Sequence, residues 1–240
     1  MRFENKCVVI ASSGGSIGRA AAEMMEKEGA KAALLEKDQG QETFNDFSGM
    51  FCKVKDFASE EEMGELSKAV VEKLGTVDVI VTALFDKLSD PALSWDKIPD
   101  GEARRLVRNI LTGTETVLKS FLPVLAEKES GRVVLLMTVA GRKNVPGTPW
   151  PEAMAYAGIG GLIRNGGTVF GKNSITFNGV AVGPVEGMDL PAYLEESVQG
   201  VWGRKATGAD VANAIMYLSD EEAAWNTGEI VDLNGGYFAI

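Results

Sequence analysis

Ala11-Ser12-Ser13-Gly14-Gly15-Ser16-Ile17-Gly18 decides how the chain is read. An apolar run, Lys6-Cys7-Val8-Val9-Ile10-Ala11, precedes it and suits a short buried strand. Gly18 to Glu28 follows and reads as a helix, with Ala21, Ala22, Met24 and Met25 as its apolar residues. Glycines at such a turn permit positive φ and let the backbone come close to a ligand. The N–H groups that open the helix carry partial positive charge, which suits a phosphate. Glu36 closes the next apolar run, Ala32-Ala33-Leu34-Leu35, and Lys37 stands beside it. A carboxylate there accepts hydrogen bonds from both hydroxyls of a ribose and repels a 2′-phosphate. Asp56 follows a third run, Phe51 to Val54, and is placed to meet an adenine. Strand, glycine turn, helix and acid in this order predict a dinucleotide site. Its expected contacts are Ser12, Gly14, Gly15, Ser16, Ile17, Gly18, Glu36 and Asp56. Glu36 makes NAD the expected cofactor.

The alternation continues outward from this start. Val77 to Thr82, Arg132 to Val139, Ile175 to Val182 and Ile230 to Leu233 read as further strands. Between them, Met63, Leu66, Val70 and Leu74 mark one face of a helix over 60–74. A long helix is expected within 101–129, kinked near Pro123, with others over 156–170 and 210–218. The second of these carries Gly158, Gly160, Gly161, Gly166 and Gly167, which predicts close packing against neighbours. Repeated strand–helix–strand units predict a single α/β domain over residues 1–240. It is doubly wound, with about seven mostly parallel strands and helices on both faces.

Composition narrows the chemistry. Among 240 residues there is no histidine, which removes Ser-His-Asp triads, Cys-His dyads and histidine-ligated metals. No metal site is expected. Lys and Arg number 24 against 34 Asp and Glu, a net charge of −10, so a nucleic-acid backbone is not an expected partner. No apolar stretch is long enough for a membrane span. The charged start, Met1 to Lys6, runs straight into the first strand and is read as no secretory leader. Cys7 and Cys52 lie in separate apolar runs and are expected to be reduced thiols of a cytoplasmic protein.

Several motifs together resemble the short-chain dehydrogenase/reductase family along nearly the whole chain. Ser16-Ile17-Gly18 matches the end of its glycine loop, and Lys55-Asp56-Phe57 resembles its adenine contact. Leu111-Thr112-Gly113-Thr114, followed by Leu122-Pro123, resembles its long interface helix. Gly131-Arg132-Val133-Val134 resembles the strand leading to its serine, and Thr227 to Gly236 resembles its last strand and turn. The resemblance implies a Rossmann-like fold and an oligomer built from the long helices and the last strand. It also implies a site in which serine orients the substrate and tyrosine exchanges its proton. Lysine lowers the tyrosine pKa, and asparagine supports a water relay.

The departures from that pattern carry the functional expectation. Ser12 and Ser16 replace two of the three loop glycines, and Thr82-Ala83-Leu84-Phe85 replaces the segment Asn-Asn-Ala-Gly. Thr138 stands at the serine position. Tyr156 is taken for the tyrosine, although it lies beyond the family's usual spacing of about 13 residues, a spacing that only structural context confirms. On that register the lysine position is Gly160, and Arg164 is about 12 Å away along a helix. The asparagine position is Ile110, with Asn109 expected to point elsewhere, and a threonine that often touches the carboxamide is replaced by Gly187. Thr138 and Tyr156 are therefore vestigial candidates, Tyr156 with an ordinary phenol pKa near ~10. The expected role is a catalytically silent subunit beside an active homologue in a heterotetramer, with a hydroxyacyl-CoA as the candidate substrate and with NAD binding weak or lost. The alternatives are a homo-oligomeric, active NAD-dependent reductase using Thr138 and Tyr156, and a nucleotide-sensing protein without turnover. The segment 186–203 shows no distinctive substrate chemistry.

Overall fold

The computed structural model describes residues 1–38, 47–90, 93–188 and 202–237. Seven strands form one sheet: β1 Cys7–Ser12, β2 Lys31–Lys37, β3 Met50–Val54, β4 Val79–Ala83, β5 Gly131–Thr138, β6 Ile175–Val182 and β7 Ile230–Leu233. Their order is β3-β2-β1-β4-β5-β6-β7. Every pairing is parallel. The α-helices among the described residues are α1 Ser16–Lys27, α2 Glu60–Leu74, α3 Asp100–Val107, α4 Gly113–Glu127, α5 Trp150–Phe170 and α6 Gly208–Ser219. This is the doubly wound sheet that the alternation predicts.

β1, β4 and β6 are buried at every position, because parallel strands need cover on both faces. The order reverses between β1 and β4. Right-handed crossovers then put α1 on one face and α2, α4 and α5 on the other, and α6 packs along α1. The reversal opens a crevice at the carboxyl ends of β1 and β4, where such folds place a ligand. There Ser12 ends level with Glu36 of β2 and Ala83 of β4.

Two helices differ from expectation. The break in the long helical region falls at a π turn, Arg108–Thr112, and α4 runs on through Pro123. α5 begins at Trp150, ahead of Tyr156. Pro149 precedes it and Pro151 lies in its first turn, where a missing N–H costs nothing. Its glycines divide by environment. A Cβ on Gly166 would collide with the Phe177 ring, and one on Gly167 with the backbone of Gly228, whereas Gly161 faces open space. Gly166→Ala should therefore lose about 1–3 kcal/mol. Gly161→Ala should gain up to ~1 kcal/mol in the isolated chain. Thermal unfolding of both variants against the parent checks the contrast.

Candidate active site

The glycine turn is real and is closed by its own chain. Gly14 and Gly15 have φ of 107° and 90°, a region that side chains with a Cβ rarely enter. The Ser12 hydroxyl accepts from Gly14 N–H at 3.2 Å, and that of Ser13 accepts from Phe85 N–H at 2.8 Å. Gly18 lies against Ser12, and Ile17, in the first turn of α1, is buried. The side of the turn that would meet a diphosphate is occupied. The Ser16 hydroxyl donates to the Glu186 carbonyl at 2.7 Å. A Cβ on Gly15 would collide with the Met188 sulfur, which marks the space over this glycine as filled. Gly187, between them, has φ of 69° and turns the chain onto the site. Of the segment 186–203, residues 189–201 lie outside the described residues.

The adenosine end is mixed. Glu36 is 7% exposed, and its Oε2 has no hydrogen-bond partner among the described residues. Burial pushes its carboxyl up to about 7, against a smaller opposing pull from Arg19. Such a group is suited to hydroxyl donors. Asp56 is already engaged. Arg108 grips it with both terminal nitrogens, one contact being Nη1–Oδ1 at 2.9 Å, and Ala58 N–H donates to it at 3.0 Å. The Arg108 hydrogen bonds hold Asp56 below its usual range. A cavity of about 180 Å³ lies here, walled by Phe57, Leu84 and Phe85 and edged by Lys37, Arg105 and Asn109.

The catalytic candidates are enclosed. Thr138 ends β5 at 0% exposure, and its hydroxyl has no hydrogen-bond partner among the described residues. Tyr156 is also 0% exposed. Its hydroxyl donates to the Asp86 carbonyl at 3.1 Å and accepts from Asp86 N–H at 3.3 Å. Burial lifts its pKa well above an ordinary phenol, so the expectation of an unperturbed value is corrected upward. Gly160 lies against Ile230 and Arg164 and brings no ammonium. Ile110 is buried in the core. Asn109 does not point elsewhere. The π turn leaves it on the cavity, its Nδ2 donating to Asp86 Oδ2 at 2.7 Å.

Sequence reasoning missed Asp86, Arg105 and Glu152. Arg105 pairs with Asp86 and with Glu102, and donates to the Lys87 carbonyl at 2.8 Å. Glu152 is 1% exposed and accepts from Leu88 N–H at 2.9 Å. The signal for Glu152 is its place in the first turn of a helix whose start the apolar pattern puts too late.

Most of the chain, residues 11–238, matches the family model described as enoyl-(acyl carrier protein) reductase. The chain belongs to the short-chain dehydrogenase/reductase family of oxidoreductases. Among curated relatives, the 3-oxoacyl-(acyl-carrier-protein) reductase of Escherichia coli is 26% identical, with all of both chains covered. An uncharacterised short-chain dehydrogenase/reductase of Sinorhizobium fredii is 28% identical, with 98% of each covered. Levodione reductase superposes with a TM-score of 0.85 at 24% identity, covering 98% of both chains. No helix among the described residues is long and apolar enough to cross a membrane.

Members of this family generally bind NAD(P), and Glu36 fits the ribose of such a cofactor. The residues around Gly15 do not fit its diphosphate, because Met188 and Glu186 already fill that seat. As a whole the site does not match an intact dinucleotide.

Glu36 gives a test of this geometry without any ligand. Its folded pKa is raised, so its protonated form is the stable one. Stability is full below about pH 4.5, falls as pH rises through about 7, and levels off above. Glu36→Gln should unfold a few degrees higher than the parent at pH 8. The gap should close by pH 4.5, as read by thermal melts across that range.

Proposed function

We propose that this chain is a catalytically silent member of its family, a subunit that supports an active homologous subunit in a hetero-oligomeric dehydrogenase. One observation carries the reading. Tyr156 has no exposed surface, both hydrogen-bonding roles of its hydroxyl are used by Asp86, and its pKa is raised rather than lowered. A phenol that acts as a base must have its pKa brought toward neutrality and must reach the substrate. Thr138 is equally closed to solvent. The occupied diphosphate seat supports loss of NAD binding. The surface supports assembly, since α5 presents Trp150, Met154 and Val169 at 45–49% exposure, with bare Gly161 on the open side. The apolar terminus at Tyr237 points the same way, although 238–240 lie outside the described residues.

The partner in this reading is an active short-chain dehydrogenase in a heterotetramer, and a hydroxyacyl thioester is the proposed substrate of that partner's site. Both subunits belong to the cytoplasm, where Cys7 and Cys52 stay reduced. A second reading, a nucleotide-sensing protein without turnover, has one observation in its favour, the buried Glu36, whose Oε2 has no hydrogen-bond partner among the described residues.

Four measurements separate these readings. The chain alone should show no dehydrogenase turnover, and calorimetry should give no micromolar NAD(H) affinity. Tight NAD(H) binding without turnover would favour the sensing role. In the complex, Thr138→Val and Tyr156→Phe should leave kcat within about twofold, and a hundredfold loss with assembly intact would mean that this chain carries a working site. Light scattering should find an assembled species, and Met154→Glu should shift it toward monomer by placing a charge in the association face.

A further inference from the structure

The segment leaving β4 is tied at every residue from 85 to 89. Phe85 N–H is held by Ser13. The peptide groups on both sides of Asp86 meet the Tyr156 hydroxyl. Its carboxylate is held by Arg105 and Asn109, and Arg105 also takes the Lys87 carbonyl. Leu88 N–H donates to Glu152 at 2.9 Å, and Ser89 N–H to Glu102 at 3.1 Å. The ties come from the turn after β1, from α3 with its π turn, and from α5. The segment therefore bridges all three across the carboxyl end of the sheet.

The ties from α5 fall at telling positions. α5 starts at Trp150, so the family spacing can be laid on a real helix. Fourteen residues beyond Thr138, one more than the family's usual spacing of about 13, and then four further, it reaches Glu152 and Tyr156. Residues four apart on a helix share one face, and both side chains turn inward at 1% and 0% exposure. On this register Glu152 stands at the family's tyrosine and Tyr156 at its lysine, one helical turn earlier than the sequence alone suggests. Both groups are closed to solvent and bonded to the backbone of 86–88.

We infer that Glu152 and Tyr156 are positioning residues that clasp residues 85–89 as a strap over the crevice, closing Thr138 to any substrate. This goes beyond the proposed silent role, which needs only the loss of chemical groups. Here the two positions have been reused to shut the site. A buried carboxylate and a buried phenol each need a partner, and the strap's N–H and carbonyl groups supply them.

The test places a thiol under the strap. In Thr138→Cys, alkylation of the introduced thiol by iodoacetamide, read by peptide mass spectrometry, should be at least a hundredfold slower than in the guanidinium-denatured chain. Adding Glu152→Ala and Tyr156→Phe should speed it at least tenfold, while the amides of β5 keep their exchange protection. Labelling of the folded single variant at the denatured rate overturns the strap. No acceleration once the two clasp substitutions are added, with the chain folded, overturns the clasp. Where that variant does not fold, amide exchange in Tyr156→Phe replaces it. The Asp86 amide should exchange at least tenfold faster with β5 unchanged, and unchanged exchange overturns the inference. Neither measurement reads turnover, so failure here leaves the silent-subunit reading standing, and turnover in the isolated chain would sink that reading without opening the strap.

Discussion

β1 gives its backbone hydrogen bonds to β2 on one side and to β4 on the other, and the rest of the molecule depends on this pairing. A strand between two parallel neighbours is buried on both faces, so helices must cover it above and below. The chain winds one way from β1 to β3 and the other way from β4 to β7. The first turn of α1 and the segment after β4 are thereby brought to the same end of the sheet. The contact of Ser13 with Phe85 is a local consequence of that reversal.

What distinguishes this crevice is that its polar groups are satisfied by one another. Asp56 belongs to Arg108, Asp86 to Arg105 and Asn109, and Glu102 to Arg105 and Ser89. The Ser16 hydroxyl is spent on Glu186. A ligand entering here would have to replace bonds already made, and removal of one partner from a half-buried pair leaves the other uncompensated. Glu36 and Thr138 are exceptions, a buried carboxyl with one oxygen and a buried hydroxyl that lack a hydrogen-bond partner among the described residues. The fold has thus kept the crevice of its family while filling the diphosphate end and strapping the catalytic end. An oligomeric role fits such a molecule, because association draws on the outer faces of helices and does not need an open site.

The doubly wound class, the number of strands and the family were legible in the sequence because they follow from local pattern, whereas the strand order came from the structure. Short apolar runs separated by helical periodicity imply parallel strands, and the glycine turn before Gly18 marks where a phosphate loop is expected. The loss of the family's lysine and the serines in the glycine loop were visible as substitutions against a known pattern, although the sequence put the lysine position one turn late, at Gly160. The start of α5 was not legible, because Pro149 and Pro151 read as loop residues until they are seen opening a helix. A late helix start shifts the register by one turn and hides Glu152. The π turn at Arg108–Thr112 was equally silent in the sequence, since one extra residue in a helical turn leaves the apolar pattern nearly intact. Only the tertiary structure could decide what the side chains do. Whether Tyr156 reaches a substrate, whether Met188 fills the seat over Gly15 and whether Asp56 is free are questions of distance between segments far apart in the chain. Burial and long-range pairing answer them, and neither is written in local spacing.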